Sequence, residues 1–267
     1  VGDPTVGPRG RVVVGGNGGS GISTAAPRAR IANVYIGVEA DGVTLHGNGN
    51  DGIELESAAA GSMVGDAGAG VDGLVVTGGS GLYGIRCYAP DTVIANAYVG
   101  VGADGTTPVP NLVDGIVISF TASRTSVGVL AAAHALSPTH QQHTRVVVSG
   151  NAKAGISCED HEATLGRVLV GVGADGSTPV PNQGDGLRLN PFKATPTSSV
   201  RVGPGAIISG NHGSGVLVSA RMKSTSTLIL DGCLIGLVQP TAGGVALHAA
   251  GPAPAGASAT ALQAIAH

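Results

Sequence analysis

Aromatic side chains are almost missing from this chain. It has no Trp, four Tyr and two Phe in 267 residues, so the stacking platforms on which sugar-binding clefts lean are scarce. Charge is sparse as well: Asp, Glu, Lys and Arg make up 12%, and the net charge is -3. With no basic block, a nucleic acid has no electrostatic footprint to meet. The longest apolar run falls far short of the ~18 to 20 residues that cross a bilayer, so no membrane span is read here. No signal peptide is visible, and the first residue is Val1. No Asn-x-Ser/Thr sequon occurs: Asn190 is followed by Pro191, and Asn151 by Ala152 and Lys153.

Glycine is what the chain has in excess, 46 of 267. No three-residue period accompanies it, which excludes collagen. An apolar content of 42%, much of it Val, Ile and Leu in alternating runs, argues against disorder. The runs repeat. RVVVSGNAKAGIS from Arg145 matches RVVVGGNGGSGIS from Arg11, LVVTGGSGLYGIRC from Leu74 and AIISGNHGSGVLV from Ala206. NVYIGVEADGVTLHGNGNDGIEL from Asn33 matches NAYVGVGADGTTPVPNLVDGIVI from Asn96, and a worn copy, CLIGLVQPTAGGVAL, starts at Cys233. The chain thus holds about four copies of a unit of roughly 60 to 70 residues, which predicts one continuous solenoid. VGDPTVGPRGRVVV at Val1 aligns without a gap to VGDAGAGVDGLVVT at Val64. The first residue therefore falls in mid-register, as in a piece of a longer repeat protein.

Within a unit, short strands are expected at Val12 to Val14, from Ile22, at Val34 to Ile36 and at Ile53 to Leu55. Gly and Asn mark the bends between them, where positive φ is needed. Strands this short do not suit a sandwich; they suit an all-β right-handed parallel β-helix. With ~20 to 30 residues per coil, the chain gives about 8 to 12 coils and a rod of roughly 40 to 60 Å. Cys87 and Cys158 occupy equivalent places, two residues after Ile85 and Ile156. They are expected to face the core, two or more coils apart and so beyond the ~7 Å reach of a disulfide.

The segments VVVSGNAKAGIS, NVYIGVEADG and GNGNDGIEL resemble the repeat of right-handed parallel β-helix proteins of the pectin lyase-like kind. More narrowly, they resemble a group whose repeats read roughly N-V-I-S-G-N, then N-Y-I-G-T-D-x-x-G, then G-N-x-x-D-G-I. The likeness covers residues 1–248, leaving an Ala-rich linker or cap over 249–267. This chain departs from the pattern with Val38, Val101 and Val172 where Thr is usual. The resemblance implies an extracellular or surface-attached protein, and the wider fold also hosts polysaccharide lyases, polygalacturonases and alginate epimerases.

Three sets of residues are candidates for chemistry. Asp41, Asp104 and Asp175 sit in Ala-Asp-Gly loops, and Asp51, Asp114 and Asp185 precede Gly at strand entries. Carboxylates of this kind hold Ca2+ in some repeat proteins, yet Asp-Gly is also a plain turn signal. The copies recur once per unit and are expected to lie well apart. The second set is Glu159, Asp160, His161 and Glu162, where only one unit has turned acidic. Of these, Asp160, His161 and Glu162 supply the residue types of a general acid or base. The third is an insertion, LAAAHALSPTHQQHT, carrying His134, His140 and His143, a binding loop that would face that bend to supply metal ligands or a catalytic pair. The bland reading of both is a solvated bend and a tolerated surface insertion. Polygalacturonase-like, pectate lyase-like and epimerase-like signatures are absent, and GNHGSG around His212 has only a superficial likeness to a Gly-His-Gly site. Thr106, Thr107 and Thr178 form no Thr-x-Thr ladder of the ice-binding kind. The balance leans away from catalysis. The expected role is a structural or adhesive spacer or fibre element, with polysaccharide or other copies of a surface assembly as partners. The alternative is a carbohydrate-binding or carbohydrate-active β-helix with its site near 159–162.

Overall fold

The structure is a computed structural model that describes residues 1–129, 145–159, 162–190, 198–220, 226–236 and 245–249. Each of the first seven coils gives one strand to each of three parallel sheets, and the described residues of the eighth give strands to two. Sheet A starts with Val12–Val14, Val34–Ile36, Val75–Thr77, Ala97–Val99, Val146–Val148 and Val168–Val170, and ends with Ile207–Ile208 and Leu234–Ile235. Sheet B runs through Ile22–Thr24, Ile53–Leu55, Ile85–Cys87, Ile116–Ile118, Ile156–Cys158 and Leu187–Leu189 to Val216–Ala220 and Val245–Ala249. Sheet C, of seven strands, begins with the two-residue pieces Arg30–Ile31, Met63–Val64 and Val93–Ile94. The result is a right-handed parallel β-helix of eight rungs.

Rungs are in register. Val34 pairs Val75, Val75 pairs Ala97, Ala97 pairs Val146 and Val146 pairs Val168. Because side chains alternate across a strand, the first and third residues of the three-residue strands of sheets A and B form columns inside the rod. Ile53, Ile85, Ile116, Ile156 and Leu187 make one such column and are fully buried. Each contributes about 1.5–3 kcal/mol by leaving water. Cys87 and Cys158 both pair Ile118, one from each side. One rung separates the two thiols, at ~4.8 Å per strand, and both cysteines are buried and outside any disulfide.

Coils alternate in length. From Val12 to Val34 is 22 residues, whereas from Val34 to Val75 is 41. The extra residues go to corners, so the rod is shorter than the sequence predicts, roughly 35 Å for eight rungs. One corner of the long coils holds 3-10 segments, Pro4–Gly10 and Ala67–Gly73, started by the carboxylates of Asp3 and Asp66. The next short coil closes with a two-residue corner in which Asn33 and Asn96 adopt positive φ, 52° and 49°. Each donates its side-chain amide back to two carbonyls of the 3-10 segment, Asp3 and Gly7 for Asn33, Asp66 and Gly70 for Asn96. Gly2 and Gly65 allow this approach. A Cβ on Gly65, which has φ 78°, would lie 1.6 Å from the Ala95 oxygen.

The turn from sheet A to sheet B carries an asparagine ladder through the wall of the rod. Asn111 donates to Asn151, Asn151 to Asn182 and Asn182 to Asn211, each at 2.9 Å between Nδ2 and Oδ1. Backbone groups fix the amide orientation: the Asn151 N–H donates to Asn182 Oδ1, and Asn182 Nδ2 also donates to the Val148 carbonyl. Asn17 and Asn48 form a separate pair at 2.9 Å. Between the two runs stands Ser80, too short to reach, and its buried hydroxyl has no hydrogen-bond partner. An Asn151→Ala chain should lose about 1–3 kcal/mol through the amides it strands, and Ser80→Asn should gain about 1 kcal/mol by joining the runs. Urea denaturation of the three chains checks both signs; identical midpoints would refute the ladder as a source of stability.

Candidate functional site

The Ala-Asp-Gly loops lie over the outer face of sheet A. Each leaves a sheet A strand and returns through an antiparallel bridge, Val38 with Leu45, Val101 with Pro108 and Val172 with Pro179. Beneath them, outward-facing Tyr35, Val76, Val147 and Leu169 are buried as a second apolar layer, with Val38, Val101, Val109, Val172 and Val180 above. The loops touch one another: the Ala103 N–H donates to the Gly42 carbonyl and the Ala174 N–H to that of Gly105, both at 2.9 Å. The sequence predicts well-separated copies, but the intervening short coil carries no such loop, and the long loops lean together across it.

Inside each loop the carboxylate is committed to its own turn. Asp41 accepts from the N–H groups of Val43 and Thr44, both 2.9 Å, and from the Thr44 hydroxyl at 2.6 Å. Asp104 does the same with Thr106 and Thr107, and Asp175 with Ser177 and Thr178. The Thr44 hydroxyl holds Asp41 below the ordinary carboxylate range. For Asp104, burial pushes the pKa up, but the Thr106 and Thr107 donors outweigh it. The Thr178 hydroxyl and the N–H groups of Ser177 and Thr178 bring Asp175 down to about 2. Calcium takes about six to eight oxygen ligands; among the described residues no group of three or more His, Cys, Asp or Glu gathers to hold a metal ion.

Asp51, Asp114 and Asp185 do a different job. Each accepts a backbone N–H from the following rung, of Tyr83 at 3.2 Å, Ala154 at 2.8 Å and Ser214 at 2.9 Å. They staple a long coil to the short coil after it. Burial raises the pKa of Asp51, against the Tyr83 N–H and the Arg86 charge, and raises that of Asp114, against the Ala154 N–H.

Of the acidic bend, Glu159 is half-buried, with its N–H on the Ile118 carbonyl at 2.8 Å, and Glu162 is exposed. Asp160 and His161 lie outside the described residues, as do His134, His140 and His143 in 130–144. His212 sits in an ordinary bend with Nδ1 2.8 Å from Gln183 Oε1.

Two groupings escape sequence reasoning. On the outer face of sheet B, Arg86 lies 5.3 Å from the ring of Tyr83 and 4.8 Å from that of Tyr88, and 3.8 Å from the Asp51 carboxylate. The alternation of GLYGIRCYAP placed Arg86 outward, and half of the chain's tyrosines flank it, so a signal existed. The other is a cleft that brings together Arg145, Arg167 and Asp175. No adjacency in the chain foretells it.

The loop carboxylates fix the sign of one pH effect. Asp175 has a folded pKa below its unfolded one, so its contribution is full above 3.8 and is lost as pH falls toward about 2. Asp175→Asn should therefore flatten the fall of melting temperature with acidification in that window, read by thermal denaturation across pH. A slope equal to that of the parent chain would show that the Thr178 contact does not stabilise the fold.

The chain matches no protein-family model, no curated protein and no solved structure in comparison.

Proposed function

We propose that the chain is a stiff β-helical spacer or fibre element of an extracellular or cell-surface assembly, built on the repeat of the pectin lyase-like group. The observation that carries this reading is continuity. Eight rungs of sheets A and B stack in one register, and hydrophobic columns run past every corner loop without a break. Each unit meets only its neighbours, the arrangement that lets a solenoid act as a girder. The conspicuous carboxylates support the same reading, since the loop aspartates close turns and the strand-entry aspartates join coils. The partners are polysaccharide or further copies in a surface assembly.

A screen with acidic and neutral polysaccharides, with and without calcium, tests this against the catalytic alternative. NMR would follow chain shortening, unsaturated ends and epimerisation. No turnover is expected, from the parent chain or from Asp160→Ala and His161→Ala. Turnover that vanishes in His161→Ala would overturn the spacer reading and put a catalytic group at the acidic bend.

A further inference from the structure

One residue of each rung stands one or two positions before its sheet A strand, and the register sets these residues in a column: Arg11, Asn33, Leu74, Asn96, Arg145, Arg167, Gly205 and Gly232. The first two units place an amide at the short coil, and that amide serves the 3-10 segment before it. The third unit breaks the pattern with two arginines in succession. The two glycines that follow have no side chains, and the space they leave is a cleft of about 460 Å³. That volume lies within the ~300–1,000 Å³ of small-molecule sites.

The walls differ in character. Arg145 is held by a bond from Nη1 to the Ala174 carbonyl at 3.1 Å. Arg167 is only 5% exposed, with φ at 54°. Burial, and then the charge of Arg145, push its pKa down. Two like charges side by side at the edge of an apolar interior favour an anion between them. The one acid among the described residues of the lining, Asp175, accepts from Ser177 and Thr178 of its own loop. Among the described residues of the lining, two cations against one carboxylate leave an excess of one positive charge. Of the other described residues in the lining, Leu169, Ala206, Ile207 and Leu234 have apolar side chains, and Gly176, Gly205 and Gly232 have none.

We propose that this cleft binds a monocarboxylate carried on a small apolar body. The guanidinium groups of Arg145 and Arg167 take the carboxylate, for which their planar forks are suited. Leu169, Ile207 and Leu234 take the body. A dianion would exceed the excess charge and meet Asp175, and a sugar acid would bury its hydroxyls against leucine. The inference stands apart from the spacer reading, because a girder needs no ligand here.

Sodium benzoate is the probe, with benzamide, inorganic phosphate and glucuronate as comparisons. In 1H–15N spectra of the folded chain, benzoate should shift the Gly176, Gly205 and Gly232 amides saturably, and the three comparisons should not. Arg145→Gln should weaken benzoate by about 10-fold or more, the effect of losing one charge-assisted hydrogen bond. Leu234 is 49% exposed, so Leu234→Glu keeps the fold and should weaken benzoate likewise by placing an acid at the rim. It decides the matter if Arg145→Gln fails to fold. The proposal is overturned if benzoate leaves these amides unmoved, if benzamide, phosphate or glucuronate binds as well, or if folded variants bind benzoate unchanged.

Discussion

A single shared register governs this molecule. Every strand inside a sheet hydrogen-bonds to the rung below and the rung above, and with side chains alternating at a period of two, a slip of one residue in any rung would turn its valines and isoleucines outward. The corners enforce the register. Asn151 accepts from Asn111 and donates to Asn182, Asp114 accepts from Ala154, and Asn96 reaches back to Asp66 and Gly70. Each bond links residues some 26 to 40 positions apart, so a displaced coil would strand polar groups in several corners together. The longer and more irregular segments accordingly lie outside the register, in the loops after sheet A and the 3-10 segments before it.

Much of this was legible in the residues. Val12–Val14, Ile22–Thr24, Val34–Ile36 and Ile53–Leu55 fall where alternation and glycine placed them. The core-facing cysteines and their separation followed from the repeat. Sheet C did not, because Arg30–Ile31 and Met63–Val64 have two residues each, too few for any periodicity to show. Nor did the alternation of short and long coils, since insertions at a corner leave strand patterns untouched.

The candidate chemistry was less legible, and for a different reason. Asp-Gly in sequence states only that a turn is near. Whether the carboxylate then faces solvent, its own loop or the next rung depends on what the neighbouring coil presents. Asp41 and Asp51 are ten residues apart and serve unlike ends, one closing a turn through Thr44 and the other receiving the Tyr83 N–H. The pairing of Arg145 with Arg167 depends on register too, as does the gap left by Gly205 and Gly232.

The asparagine ladder has one more consequence. All its amides point the same way, each handing a proton donor to the rung nearer the C-terminus. Amide dipoles aligned head to tail in a low-dielectric wall reinforce one another. The rod is therefore electrically directional, with unlike ends, in the manner of a very long helix laid along its side. Ser80 divides that vector into a short stretch and a long one, so the field is carried mainly by the half that begins at Asn111.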